Sequence, residues 1–122
     1  MKRITSLFVA LFALVALCGL TGCKGAPKPQ EISRVLADPD AFRDKDVIVA
    51  GRVTRVIDPT QGLLALAAYQ VEDKTGRIWV VSRTGTPSVG TEVGLKGRIR
   101  DDFRIGSELL GTVLNEVERR TR

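Results

Sequence analysis

The chain has 122 residues, a formal net charge of +5, two cysteines and no histidine. The missing histidine removes the commonest neutral-pH general base and the commonest metal ligand. It also excludes Ser–His and Cys–His nucleophilic pairs.

Lys2 and Arg3 open the chain, and Leu7 to Leu17 follow without a charge. Small residues then lead to Cys23. Basic start, apolar run and small-residue end form the pattern of a secretory signal. The apolar run is at or below the ~20 residues that a spanning helix needs. Leu20-Thr21-Gly22-Cys23 resembles the lipobox of bacterial lipoproteins at all four positions. The resemblance implies a diacylglycerol on the Cys23 thiol, with fatty-acyl chains such as palmitate, and cleavage before that residue. Cys18 then leaves with the signal. In Gram-negative sorting Asp after the lipidated Cys retains a lipoprotein in the inner membrane. Lys24 in that place implies the outer membrane, facing the periplasm.

Three parts are expected: a signal peptide over 1–22, a lipidated Cys and tether over 23–30, and one domain over 31–122. The mature part has roughly 100 residues, enough for one small core. Its only Cys is the lipidated one, so no disulfide is available and packing must stabilise the fold. Without Lys2 and Arg3 the formal charge is +3. A basic balance suits nucleic acid, anionic lipid or an acidic partner. A secreted lipoprotein meets little nucleic acid, so compartment outweighs charge. In the tether, Pro27, Pro29 and Gly25 oppose helix and strand. Fully extended, it reaches up to ~20 Å at ~3.1 Å per residue.

Glu31 to Ala37 reads as a short helix, with Ile32, Val35 and Leu36 at helical spacing. Asp38-Pro39 ends it, because a residue before proline disfavours helical geometry. From Asp46 the period changes to two. Val47, Val49, Gly51 and Val53 alternate with Ile48, Ala50, Arg52 and Thr54, a first strand. Asp58 to Gly62 is a turn, and Leu64 to Glu72 a second strand. Asp73-Lys74-Thr75-Gly76 is a hairpin connection. Arg77 to Ser82 is a third strand, Thr84 to Gly90 a loop, and Val93 to Arg100 a fourth strand. Gly111 to Glu118 reads as a fifth strand, although Leu109, Leu110, Val113, Leu114 and Val117 also fit a helix.

Val47-Ile-Val-Ala-Gly-Arg-Val53 is echoed by Val93-Gly-Leu-Lys-Gly-Arg-Ile99. A mid-strand Gly permits sharp coiling at a barrel corner. These strands, with Tyr69-Gln-Val-Glu-Asp-Lys-Thr-Gly-Arg-Ile-Trp-Val80 between them, resemble an OB-fold domain over Asp46 to Glu118. The resemblance implies an all-β, five-stranded Greek-key barrel. It extends to nucleic-acid-binding OB domains and to secreted bacterial OB-fold proteins. The helix that OB folds often place between strands three and four is replaced by a loop.

OB folds bind ligands on the face of strands two and three. With Tyr69, Val71, Ile78 and Val80 inward, Arg77, Trp79 and Val81 point outward. Arg77 and Trp79 then offer a stacking platform, against the competing reading that Trp79 packs under a loop or in the core. Lys96, Arg98 and Arg100 fall on one side of strand four, with Arg52 at the matching place in strand one. They form either a basic stripe for envelope phosphates or carboxylates, or a solvated face balanced by Asp101, Asp102 and Glu92. The carboxylate pairs Asp38/Asp40, Asp44/Asp46 and Asp101/Asp102 read as turn chemistry. No metal-ligand loop or phosphate loop is present in the sequence, so no cofactor is expected. The expected function is that of a non-enzymatic, membrane-tethered module for an anionic or carbohydrate-type envelope ligand or a protein partner. The alternatives are a structural component of an envelope complex and nucleic-acid binding.

Overall fold

The structure, a computed structural model, describes residues 28–60 and 66–121. The signal segment, Cys23, most of the tether and the expected start of the second strand lie outside the described residues.

A helix α1 (Ile32–Ala37) and a 3-10 turn (Pro39–Phe42) precede five strands. These are β1 (Val47–Ile57), β2 (Ala67–Glu72), β3 (Arg77–Ser82), β4 (Glu92–Ile105) and β5 (Glu108–Thr121). They close into a barrel in the order β1-β2-β3-β5-β4. Only the β3–β5 pairing is parallel. The residues between β3 and β4 are irregular, as expected. The fifth element is a strand. Its apolar residues serve two faces: Leu114 is in the barrel core, while Val113 is buried in a second cluster outside it.

Closure depends on β1, which pairs with β4 through its first half and with β2 through its second. Both partners meet at Arg52. Beside it, an ideal Cβ on Gly51 would stand 2.2 Å from the Glu72 carbonyl oxygen. No side chain fits there. Past this point a bulge at Thr54 shifts the register between Val53 and Arg55. The extra residue returns Arg55 to the outer face, whereas plain alternation sends it inward with Val53.

The interior holds Val49, Val53, Tyr69, Val71, Ile78, Val80 and Leu95. The inward set expected for strands two and three is buried. Ile32 and Val35 of α1 are fully buried against the same cluster. A six-residue helix has little stability in isolation. Here the β2–β3 turn supplies its cap. The Ile32 N–H donates to Asp73 Oδ2 at 3.0 Å, and the Ser33 N–H to Thr75 Oγ1 at 3.1 Å. The other Asp73 oxygen accepts from the N–H groups of Thr75 and Gly76. Gln30 adds one bond from its N–H to the Ile48 carbonyl, at 2.6 Å.

β4 and β5 run beyond the barrel as a long hairpin. At Asp102 the backbone takes φ of 50° and the register shifts between Arg100 and Phe103. Phe103 and Ile105 pack with Ala68, Val81 and Val113. The sheet's outer face is thus partly covered by its own hairpin.

Gly51→Ala should destabilise the domain by about 2–3 kcal/mol in urea unfolding, because the nearest atom is backbone. Gly94→Ala should be neutral or stabilising by about 0.5 kcal/mol, since a Cβ there meets nothing within 4 Å.

Burial alone would raise the Asp73 pKa. Hydrogen bonds from the Thr75 side chain and from the Ile32, Thr75 and Gly76 N–H groups outweigh it and hold the pKa below the usual carboxylate value. Its contribution is therefore full above pH ~4 and is lost as pH falls through the depressed native value. Asp73→Ala should cost about 1–2 kcal/mol at neutral pH. Acid unfolding curves of variant and parent should converge below that value.

Candidate functional site

The outer surface is organised as rows of directly opposed residues. One row reads Glu92, Arg52, Glu72, Arg77 across β4, β1, β2 and β3. Its charges alternate in sign. Arg52 lies 3.8 Å from Glu92, and Arg77 lies 3.8 Å from Glu72. Arg52, expected to join Lys96, Arg98 and Arg100 in one stripe, is opposite Glu92, whereas Lys96 is opposite Ile48. Lys96 faces Glu118 at 3.9 Å, and Arg98 reaches Asp46 at 3.2 Å. These are exposed pairs worth little individually. Together they leave Arg52, Arg77, Lys96 and Arg98 each beside a carboxylate. All 14 acidic residues fall between Glu31 and Glu118, where they outnumber the basic ones. The formal +5 comes from the flanks.

A second row behaves differently. Arg55, Gln70, Trp79, Val113 and Arg100 are opposed in turn across β1, β2, β3, β5 and β4. Trp79 is half-buried at the margin of the outer cluster. The Arg55 guanidinium lies 5.5 Å from the Trp79 ring centroid, and that of Arg100 lies 5.1 Å from the Phe103 ring. Among the described residues, neither arginine has an ion-pair partner. Thus Trp79 and Arg100 share one row, Arg52 and Arg77 share another, and Lys96 and Arg98 are paired separately. Arg55 was not legible as a site residue, since only the bulge at Thr54 turns it outward.

A groove of about 780 Å3 opens at the bend of β1. Ala50, Gly51 and Gly94 line it together with Arg52, Glu72, Asp73, Lys74 and Glu92. Its charges are of both signs.

Inside the barrel one polar cluster stands out, at the far end of β3 from α1. Glu116, whose side chain is 6% exposed, accepts from four groups. Tyr69 Oη and Arg119 Nη1 donate to Oε1 at 2.5 and 3.1 Å. Ser82 Oγ and Thr84 Oγ1 donate to Oε2 at 3.1 and 3.3 Å. Arg119 also donates to the Gly85 carbonyl and stacks on the Tyr69 ring. The network ties β2, β3, β5 and the following loop together. Every acceptor position is used for holding structure, and no group of potential metal ligands occurs among the described residues. The sequence offered no signal for this cluster, because its members lie far apart along the chain.

No family model and no curated protein matches the chain. Solved structures do. The chain is similar to OBody AM3L09 bound to hen egg-white lysozyme, at 18% identity and TM-score 0.56, over 79% of this chain and 96% of that one. OBody AM2EP06, also bound to hen egg-white lysozyme, aligns at 21% identity and TM-score 0.55, over 78% and 94%. A putative aspartyl-tRNA synthetase from Leishmania major Friedlin aligns at 12% identity and TM-score 0.56, over 81% of this chain but 22% of that one. The strand order and these likenesses define the fold as an OB-type barrel.

Burial raises the Tyr69 pKa above the ordinary tyrosine value, with the Glu116 hydrogen bond adding to it and Arg119 opposing. Tyr69 is the only tyrosine. Ultraviolet titration should therefore show no tyrosinate at pH ~10. Stability from this group is full below that pH and declines as pH rises through the native value. Glu116→Gln should lower the onset and cost about 2 kcal/mol.

Proposed function

We propose that the chain is a lipid-anchored envelope protein whose OB barrel is a non-enzymatic binding module for an anionic, carbohydrate-type ligand. The ligand face is the outer row centred on Trp79. The observation that carries this reading is the contrast between the two rows. Arg52 and Arg77 are answered by carboxylates, while Arg55 and Arg100 flank Trp79 unpaired. An aromatic edge between two available guanidiniums suits a sugar bearing acidic groups. The lipobox at Leu20 to Cys23 supports attachment to the membrane, where such ligands are concentrated.

A protein partner is the second reading. It is favoured by Leu109 and Val117, which are 56% and 62% exposed on the β4–β5 hairpin. OB barrels bound to lysozyme are consistent with it. Nucleic acid is less favoured, because carboxylates sit beside Arg52, Arg77, Lys96 and Arg98 and leave no continuous basic track.

Two measurements test the proposal. Cys23→Ala should abolish incorporation of a fatty-acid analogue in bacterial cells, and normal labelling would remove the anchor. Trp79 is the sole tryptophan, so its fluorescence should respond when acidic envelope glycan fractions are titrated. An unchanged signal, with Trp79→Phe binding those fractions as the parent does, would remove the face.

A further inference from the structure

The geometry points to a two-ended ligand: an acidic oligosaccharide long enough for separate anionic groups to meet Arg55 and Arg100 at once. This inference rests on the reading of the Trp79 row as the ligand face. The row crosses all five strands in register, from Arg55 on β1 to Arg100 on β4. Four inter-strand steps separate its ends, about 19 Å along the sheet. A single phosphate or carboxylate reaches one arginine and not the other.

Both ends are built alike. Each guanidinium lies over an aromatic ring, Arg55 over Trp79 and Arg100 over Phe103. A ring attracts the cation without using its N–H groups as an acceptor oxygen would, so they stay available to an anion. Among the described residues no carboxylate forms an ion pair with either, whereas Arg98, one outward position along β4, reaches Asp46 at 3.2 Å. The middle of the row is of another character. It holds the Gln70 amide, whose oxygen accepts from Thr54 Oγ1 at 3.2 Å, and the partly exposed Trp79, beside the fully buried Val113. A hydrogen-bonding group beside an aromatic edge suits neutral parts of sugar rings, and the charged recognition falls to the two ends.

The phenylalanine under Arg100 is in place only because the bulge at Asp102 turns it outward. The arginine over Trp79 is in place only because the bulge at Thr54 does the same on β1. Two separate irregularities of the barrel thus produce matching ends on one row.

The test uses a graded series of oligogalacturonates, from the disaccharide to the heptasaccharide, titrated against the full protein and followed by Trp79 fluorescence. Affinity should rise with length until the chain spans about 19 Å, then level off. Arg55→Ala and Arg100→Ala should each weaken binding of the long members about tenfold and flatten the dependence on length. Arg55→Gln and Arg100→Gln, with unchanged thermal unfolding, keep the result separate from any loss of fold. A parallel series bearing phosphate in place of carboxylate identifies which anion is preferred. A fluorescence response with equal affinity for short and long members would overturn the two-ended ligand and leave the face standing. No response to any member would overturn both. Tighter binding of a single-stranded oligonucleotide of equal charge would replace the glycan with nucleic acid.

Discussion

The fold turns on the absence of a side chain at Gly51. A five-stranded barrel closes only if one strand bends far enough to pair with two neighbours at successive halves, and β1 does this at Arg52. There the Glu72 carbonyl occupies the space that a Cβ would take. Closure at that point sets the register of both seams of β1. The register in turn decides which charges face one another. Alternating signs along Glu92, Arg52, Glu72 and Arg77 follow from it. The alignment of Arg55 with Trp79 one row away needs the bulge at Thr54 as well.

The interior and exterior use polar groups to different ends. Inside, Glu116 is surrounded by donors and serves as a staple between strands and the β3–β4 loop. Outside, most ion pairs are exposed and individually weak, so their role is to cancel charge in place rather than to hold the barrel together. On the Trp79 row the cations instead rest on aromatic rings and stay available. Selectivity on such a barrel comes from what has been neutralised as much as from what is left open.

Much of the barrel is written in local pattern. Val47 to Val53 and Tyr69 to Val80 alternate with period two, and the mid-strand Gly51 and Gly97 mark the coiled seams. Gly97, like Gly51, faces a backbone carbonyl closer than a Cβ allows. What pattern does not carry is the consequence of an extra residue. A bulge at Thr54 moves Arg55 across the sheet, and one at Asp102 does the same for Phe103 and Ile105. Local sequence has no term for either, because a bulge is a compromise between two strands. The basic residues on β4 were visible as a stripe, yet their partners Asp46 and Glu118 come from distant segments that only strand pairing brings near. The ambiguity at Gly111 to Glu118 has a similar source. A strand with apolar residues on both faces imitates helical spacing when an outer cluster exists to bury the second face.

The short helix also gives the molecule a mechanical direction. Chain leaving the barrel toward residue 28 is held by the Gln30–Ile48 hydrogen bond and by α1, whose Ile32 and Val35 fill the barrel and whose first turn is clasped by Asp73 and Thr75. A pull on the chain at residue 28 therefore meets the Gln30 bond to β1 and that plug before it loads the strand-to-strand pairings. The load path thus runs through buried side chains and one turn rather than through a strand ladder, so α1 is the part of the fold that meets tension first.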